Sequence, residues 1–295
     1  MGLLFSFRLA EARVPVELLD YRPERASRIN RDGVTLLERV GQRKHRRIPC
    51  AADPKACTPA QVLILCVKSH DTERALRSAL AALAPEGIVV SLQNGLRHVD
   101  TIRAYLSPSR TVFGTTAQGA TLISPTCVRH CGSGETLLAV EEENGPSVRL
   151  AADLFCAAGI PASVVEDLPF VLWRKLLFNA AINPITSLLG IRNGQLVRIP
   201  AAWSVAQACF REARDVAVSV IGPEIAQVGE EELQRVCEST AENHSSMLQD
   251  MRRGRRTEID AINGVIVEEG ARVGKPTPVN RTLTELVRAA VEAGR

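Results

Sequence analysis

The segment that decides the fold is QVLILCVKSHDTERALRSALAALAPEGIVVSLQNG, residues 61–95. It opens with the apolar run Gln61–Lys68, which is typical of a parallel strand buried on both faces. The spacing of apolar residues then predicts an amphipathic helix over Thr72–Leu83. A second apolar run, Ile88–Leu92, predicts another buried strand. A strand–helix–strand unit of this kind indicates an open, mostly parallel sheet.

Further strand and helix patterns surround this unit. Before it, Val14–Leu19 reads as a strand that ends at Asp20. After it come strand-like segments that suit antiparallel additions to the sheet, then one helix and a short strand: Thr111–Thr116, Val128–Val140, Ser147–Ala158 and Ala162–Val165. The first half of the chain therefore predicts an α/β domain of the Rossmann type.

The pattern changes after Asp167, where only helical periodicity continues. Breaks in this region fall at turn-forming residues: Pro184, Gly190, Gly222–Pro223, Gly254 and Gly274–Pro278. We therefore predict two domains, an α/β domain over residues 1–167 and an all-α domain over residues 168–295.

Composition limits the classes of function. Of the 295 residues, 45% are hydrophobic and 23% charged, as in soluble globular proteins, and the net charge of +3 does not indicate a nucleic-acid partner. The basic run Arg43–Arg47 reads as a solvated loop or sheet edge, with a functional basic patch as the alternative. No apolar run is long enough to span a bilayer and no signal peptide is visible, so we expect a cytoplasmic protein without membrane contact.

The eight cysteines are scattered singly through apolar segments. This pattern predicts free thiols in a reducing compartment. The closest set of metal-binding residue types is Cys127, His130 and Cys131, and no further pair lies at a spacing that would complete a zinc site. We expect no metal.

A polar stripe runs through WRKLLFNAAINPITSLLG, residues 173–190. Lys175, Asn179 and Asn183 stand at i, i+4 and i+8, so they share one face of a helix whose other residues are apolar enough to be buried. Burying a lysine and two amides is costly unless something uses them. One interpretation is structural, with the lysine paired to a carboxylate and the amides capping turns. The other is a functional site, for which Ser246 and the segment Glu258–Asn263 would supply polar partners.

The beginning of the chain departs from the usual dinucleotide-binding pattern. Such a domain normally opens with a strand and a GxGxxG turn that holds the pyrophosphate at a helix N-terminus. This sequence starts at what would be that helix, and Gly2 is the candidate third glycine of the turn. We expect a truncated gene or a missed upstream start, weakened cofactor binding and a sheet short of one strand. The alternative is that the chain has no nucleotide site.

Five segments together resemble the ketopantoate reductase family (2-dehydropantoate 2-reductase), from Gly2 to about Thr282. They are CVKSHDTERAL (66–76), SLQNGL (91–96), FGTTAQGA (113–120), WRKLLFNAAINPIT (173–186) and SSMLQDMRRGRRTEIDAING (245–264). The resemblance implies that residues 1–167 form a Rossmann-type NADP-binding domain, truncated at its N-terminus, and that residues 168–295 form a helical domain for substrate binding and dimerisation. It also implies NADPH-dependent reduction of 2-dehydropantoate to pantoate, on the pathway to pantothenate and coenzyme A.

The resemblance also implies residue roles. Lys175 stands at the position of the catalytic lysine, and Glu258 at that of the glutamate that works with it. The polar groups implied to bind substrate are Asn94, Asn179, Asn183 and Ser246. The residues expected on the cofactor side are Gly2, Arg22, Lys68 and Asn94. Ketone reduction places negative charge on the carbonyl oxygen, which a cationic donor such as Lys175 can stabilise and protonate.

Three questions stay open at this stage. Asp20 suits the ribose hydroxyl of NAD, whereas Arg22 suits the 2′-phosphate of NADP, so NADPH is expected and NADH is not excluded. The small-molecule partner is a 2-keto acid, either 2-dehydropantoate or another branched one; a truncated, inactive homologue is the non-enzymatic alternative. The apolar helical faces are compatible with a homodimer.

Overall fold

The chain was analysed as a computed structural model that describes residues 1–294. Arg295, the last residue of the predicted helical domain, lies outside the described residues. The chain forms two compact units. The first contains residues 1–93 and 98–168, and the second contains Asn94–Arg97 together with the chain from Pro169 onward. The first unit is α/β and the second is helical, which confirms the predicted fold class.

The first unit alternates strands and helices. Its strands are β1 (Leu18–Leu19), β2 (Val34–Leu37), β3 (Arg43–Arg46), β4 (Cys50–Ala51), β5 (Ala60–Leu65), β6 (Leu83–Ser91), β7 (Thr111–Thr116), β8 (Gly119–Ser124), β9 (Cys127–Gly132), β10 (Thr136–Ala139) and β11 (Ala162–Val165). Its helices are α1 (Gly2–Glu11), α2 (Pro23–Asp32), α3 (Thr72–Ala79), α4 (His98–Arg103) and α5 (Gly145–Ala157).

These strands build three sheets. The largest has the order β11-β10-β7-β6-β5, in which β5, β6 and β7 are parallel and β10 pairs antiparallel to β7. A second sheet has the order β3-β2-β9-β8, and β1 pairs with β4 in a parallel two-stranded ladder. The predicted parallel sheet is confirmed, with β10 as an antiparallel addition. The other expected additions are wrong: Thr111–Thr116 is β7, which runs parallel to β6, and the first part of the segment 128–140 is β9 of the second sheet. The basic run forms β3 at the edge of the second sheet, which agrees with its interpretation as a solvated loop or sheet edge.

The prediction that Gln61–Lys68 is buried on both faces is wrong. The strand is β5, and Val62, Leu63 and Ile64 remain half-exposed. The physical reason is position, because β5 is the end strand of its sheet and has a neighbour on one side only. An apolar run reports the tendency of a segment to be buried, whereas the degree of burial depends on the elements beside it.

Two predicted boundaries also differ. The strand expected over Val14–Leu19 is reduced to β1, and the helix expected over Thr72–Leu83 ends at Ala79. Leu83 pairs with Ala60 in the ladder between β5 and β6, so the sheet takes up residues that continue the helical periodicity.

Helix α1 is buried on more than one face. Phe5 packs against Phe155 of α5 with 5.5 Å between ring centroids, in the core that covers the five-stranded sheet. Leu4 and Phe7 contribute instead to a second core with Ile29 and β2. A helix that is apolar around most of its circumference requires partners on several sides, and α1 has them.

The second unit is helical throughout. Its elements are α6 (Leu168–Leu189), α7 (Asn193–Arg198), α8 (Pro200–Ile221), α9 (Glu230–Ser239), α10 (Ser246–Met251), a π-helical turn (Asp260–Gly264), α11 (Val265–Arg272) and α12 (Pro278–Ala293). Its core is formed largely by α6 and α8, where Phe178 and Phe210 stack with 6.1 Å between ring centroids. Pro184 was predicted to break the first of these helices, and this is wrong because α6 continues to Leu189.

Candidate active site

Within the second unit, the loop Asn94–Arg97 lies against the π-helical turn. Gly95 has φ +84°, and a Cβ on this residue would lie 2.5 Å from the carbonyl oxygen of Ala261. A side chain would therefore meet both an unfavourable backbone conformation and a steric clash. This glycine lets the neighbouring Asn94 approach Glu258, which lies two residues before the π-helical turn.

Four of the predicted residues meet at this point. The Nδ2 atom of Asn94 donates to Oε2 of Glu258 at 3.2 Å, and Nδ2 of Asn179 donates to Oδ1 of Asn94 at 3.4 Å. Lys175 is one helical turn before Asn179 on α6 and is close enough to Glu258 to feel its charge. We call Lys175, Asn179, Asn94 and Glu258 the Lys–Glu cluster.

The electrostatics of the Lys–Glu cluster centre on the ammonium group. Burial lowers the pKa of Lys175 from its ordinary 10.5 to about 8, and the carboxylate of Glu258 opposes this shift. Glu258 itself is 6% exposed. Desolvation disfavours the charged form of a lysine and a nearby anion favours it, so the two effects together keep a protonated amine that is more acidic than usual.

The other two predicted substrate residues lie towards the end of α6. Asn183 is buried, and the hydroxyl of Thr186, three residues later, donates to Ser245 Oγ at 2.9 Å. The Ser245 hydroxyl also accepts from the backbone N–H of Leu248 and so caps α10. Ser246 is the first residue of that helix and is half-buried. Ser245 therefore links α6 to the start of α10, directly before the predicted substrate residue Ser246.

The first unit contains Gly2, Arg22 and Lys68, three of the four residues predicted to bind cofactor, whereas Asn94 lies in the second unit. Asp20 directly follows β1, and its Oδ1 accepts from the backbone N–H and the Nε of Arg22 at 3.1 and 3.2 Å. Arg25 bonds the other carboxylate oxygen. Burial works against ionisation of Asp20, but hydrogen bonds from Arg22 and the charge of Arg25 hold its pKa below the ordinary value. The carboxylate is therefore ionised and neutralised, with one guanidinium in excess.

An exposed aromatic ring completes this edge of β1. Tyr21 is 62% exposed, and the guanidinium carbons of Arg22 and Arg74 lie 5.2 and 4.9 Å from its ring centroid. The side chain of Arg22 is 43% exposed, so it remains accessible while it pairs with Asp20. The combination of a flat ring and accessible guanidinium groups suits a base and a phosphate group.

Lys68 and Gly2 lie near the beginning of α1. Burial lowers the pKa of the Met1 amino group, and the charges of Lys68 and Arg25 lower it further, so both side chains are close to this helix end. A Cβ on Gly2 would meet the Cβ of Cys66 at 3.5 Å, which is an ordinary contact. Cationic side chains near a helix N-terminus suit an anionic ligand, whereas the packing at position 2 does not by itself require glycine.

Two residues near the Lys–Glu cluster did not emerge from the sequence patterns as more than local features. Gly95 read as part of a turn, although the Asn–Gly pair was a signal for a positive φ angle. Asn263 was noted as one of several polar residues, and it is completely buried. No group of three potential metal ligands occurs among residues 1–294, and no helix in that range is long and apolar enough to cross a membrane.

Comparison with known proteins identifies the family to which this two-unit chain belongs. The family model described as "Ketopantoate reductase PanE/ApbA" matches residues 1–142, and its C-terminal counterpart matches residues 170–292. The 2-dehydropantoate 2-reductase of Halobacterium salinarum is 33% identical over 295 residues, which cover 100% of this chain and 97% of the relative. The chain belongs to the ketopantoate reductase family, and this membership makes it an oxidoreductase.

Solved structures agree with this assignment. A PanE/ApbA family ketopantoate reductase from Ralstonia eutropha JMP134 is similar with a TM-score of 0.86 and 30% identity, over 98% of this chain and 95% of the other. D-mandelate dehydrogenase, solved with NADH and anilino(oxo)acetate, has a TM-score of 0.92 and 25% identity, over 99% and 95% of the two chains. The fold is therefore shared by enzymes that are named for different substrates.

The hydroxyls of Ser245 and Ser246 should differ in their effect on stability. We expect Ser245→Ala to lower the free energy of unfolding by about 1–2 kcal/mol, because it removes the cap of α10 and the partner of Thr186. Ser246→Ala should change it by less than about 0.5 kcal/mol, since position 246 lies in the first helical turn. Urea unfolding of the two variants measures both values, and equal losses would contradict the assignment of the cap to Ser245.

Proposed function

We propose that the chain reduces 2-dehydropantoate to (R)-pantoate with NADPH, in the biosynthesis of pantothenate and coenzyme A. The observation that carries this proposal is the Lys–Glu cluster, in which an acidic ammonium, a buried carboxylate and two amides meet within the helical unit. Family membership supplies the reaction class, and the name of the Halobacterium relative supplies the substrate.

Lys175 would protonate the carbonyl oxygen of the substrate. Reduction of a ketone develops negative charge on that oxygen, and an ammonium directed at it both stabilises the charge and provides the proton. With a pKa of about 8, Lys175 is still mostly protonated at neutral pH and yet is a stronger acid than an exposed lysine. The nicotinamide, when bound, supplies the hydride.

Glu258 and the amides would organise this donor. The carboxylate keeps Lys175 charged despite its burial. Asn94 donates to Glu258 and accepts from Asn179, so the orientation of one amide fixes the other. Asn183 and Ser246, further along the same helix and at the adjoining start of α10, would bind the carboxylate or hydroxyl of the substrate without adding charge.

The cofactor would be held by the first unit. Arg22 would bind the 2′-phosphate of NADPH, with Tyr21 and Arg74 beside the adenine. Lys68, together with the start of α1 at Gly2, would bind the pyrophosphate. This assignment is supported by the neutralised state of Asp20, because an unpaired carboxylate at this position would repel a phosphate.

A second candidate is the reduction of another 2-keto acid with NADH. The specific observation in its favour is the similarity to D-mandelate dehydrogenase, which was solved with NADH. A 2-keto acid offers the same carboxylate and carbonyl group whatever its side chain. The Lys–Glu cluster would therefore act in the same way on either substrate.

The proposal is tested by measuring kcat/KM of the purified chain for 2-dehydropantoate, a branched aliphatic 2-keto acid and benzoylformate, each with NADPH and with NADH. We expect the highest value for 2-dehydropantoate with NADPH. A higher value for either other acid would favour the second candidate.

Turnover by the Lys175→Ala variant should fall roughly 10²–10⁴-fold, and retention of most of the activity would contradict the role of Lys175.

Reduction should depend on pH through Lys175. Because the amine must be protonated, kcat/KM for keto-acid reduction should stay level below pH about 8 and decline above it, and the reverse oxidation should rise through the same range. This decline above pH about 8 is the alkaline limb of the pH profile. Glu258 raises the pKa of Lys175, so Glu258→Gln should move the alkaline limb to lower pH by about one unit. Steady-state rates measured from about pH 6 to 10 give the limb in both directions.

Glu268→Gln is the matched control for that experiment. Glu268 pairs with Arg97 at an exposed position and is the same type of residue in the same unit. The control should leave the alkaline limb unchanged. An equal shift in both variants would indicate a general effect of net charge, and an upward shift in Glu258→Gln would contradict the proposed interaction.

Cofactor preference should depend on Arg22. We expect Arg22→Ala to weaken NADPH binding roughly ten- to hundredfold, because a charge-assisted hydrogen bond contributes about 1.5–3 kcal/mol. NADH binding should change little, because NADH lacks the 2′-phosphate that Arg22 would bind. Fluorescence titration gives both dissociation constants. Arg28→Ala on the exposed side of α2 removes the same charge as a control, and a parallel loss there would show that Arg22 has no specific contact.

A further inference from the structure

Pro184 leaves a backbone carbonyl of α6 without its helical donor. In a regular helix the N–H of residue 184 would donate to the oxygen of Ala180, but proline has no N–H. The helix nevertheless continues from Leu168 to Leu189. Ala180 is completely buried, so its oxygen requires another donor within the protein.

Asn263 provides that donor. Its Nδ2 atom lies 3.1 Å from the oxygen of Ala180 and 3.0 Å from Oδ1 of Asn280, so each of its two hydrogens has an acceptor. A carbonyl oxygen only accepts hydrogen bonds, and the nitrogen side of the amide must therefore face Ala180. The thiol of Cys209 stands 3.3 Å from the same oxygen as a weaker donor.

The surrounding groups hold Asn263 in this orientation. Asn280 donates through Nδ2 to the oxygen of Cys209 and to Oε2 of Glu212, both at 3.0 Å, which directs its own Oδ1 at Asn263. The Oδ1 of Asn263 has no partner within residues 1–294. A buried acceptor without a partner is unfavourable, so the two bonds made by Nδ2 decide how the side chain is turned.

This contact joins α6, which carries Lys175 and Asn179, to the π-helical turn that begins two residues after Glu258. Ala180 is adjacent to Asn179 and five residues after Lys175 on α6. Asn263 is five residues after Glu258, in the π-helical turn. π-Helical turns inside helices occur frequently at functional sites, where the extra residue redirects side chains. The hydrogen bond between Asn263 and Ala180 thus lies within about two turns of both charged groups.

We propose that Asn263 is a positioning residue that sets the register between Lys175 and Glu258 by bonding the carbonyl that Pro184 leaves open. It does not touch the substrate. This role rests on the proposed function for the identity of the reaction, whereas the contact between Asn263 and Ala180 is independent of it.

The first test compares Asn263→Ala with Asn193→Ala. Asn193 is also buried, also has an Oδ1 without a partner in the described chain, and donates to Thr240 Oγ1 at 3.0 Å, at the end of α9. Both variants should unfold at lower urea concentration. At a temperature at which both are folded, Asn263→Ala should lose at least about tenfold in kcat for 2-dehydropantoate and shift the alkaline limb to lower pH, because Glu258 no longer holds its distance from Lys175.

Asn193→Ala should have the same kcat, and the same alkaline limb of the pH profile, as the unchanged chain. Equal kcat values for the two variants would assign a purely structural role to Asn263 and overturn the proposal. A loss confined to the KM for NADPH would overturn it as well, since that parameter belongs to the other unit.

The second test restores the missing donor. Pro184→Ala returns an N–H to position 184, and this N–H can bond Ala180 in place of Asn263. We expect the loss in kcat caused by Asn263→Ala to be at least about threefold smaller in the Pro184→Ala background than in the unchanged chain. An equal loss in both backgrounds would show that the contact with Ala180 is not the source of the effect.

A third readout does not require turnover. The rate at which a small amine reagent labels Lys175, located by mass spectrometry, rises through the pKa of that amine. Asn263→Ala should move this rise to lower pH, and Asn193→Ala should not. If the chain fails to reduce 2-dehydropantoate but the shift occurs, the proposed function is wrong and the positioning role stands. Absence of the shift overturns the positioning role whatever the substrate.

Discussion

The Lys–Glu cluster depends on the partial desolvation of one lysine. Lys175 lies on a helix whose neighbouring residues Leu176 and Leu177 are fully buried, and its pKa is about 8 as a result. An ammonium in such surroundings is stable only if an anion and hydrogen-bonding groups are placed beside it. Glu258 is that anion, and the amides around it hold the carboxylate in place.

Several features of the fold follow from this requirement. The loop Asn94–Arg97 belongs to the helical unit although the chain on both sides of it belongs to the α/β unit. Gly95 is needed because the loop passes so close to Ala261 that no side chain fits. The π-helical turn and the proline in α6 are irregularities of two different helices. One hydrogen bond connects them, because Asn263 of the turn donates to the Ala180 oxygen that Pro184 leaves without its helical donor. Irregular helix geometry of this kind is frequent at functional sites.

The helical stripe and the α/β alternation were readable from the sequence because each depends on local periodicity. The spacing of Lys175, Asn179 and Asn183 places them on one face of any helix, and buried runs separated by an amphipathic helix predict a parallel sheet. The continuation of α6 through Pro184 was not readable, because the compensating donor stands 83 residues away along the chain. The half-exposed state of β5 depends equally on its neighbours in the sheet.

The candidate site shows the same division. Asn94 and Glu258 are 164 residues apart, and no spacing rule connects them; the family resemblance suggested their association and the structure gives the contact. Ser245 and Ser246 could not be distinguished in sequence, because either serine can precede a helix. Asp20 alone would indicate NAD, and only the pairing with Arg22 and Arg25 shows that its charge is neutralised.

The most direct test of this account is the pKa of the Lys175 amine, measured by NMR titration of its side-chain signal and assigned by comparison with Lys175→Arg. A value of about 8 in the unchanged chain is the predicted result, because burial exceeds the effect of Glu258. A value near 10.5, the ordinary pKa of lysine, would mean that the amine is solvated and would contradict its role as a desolvated proton donor.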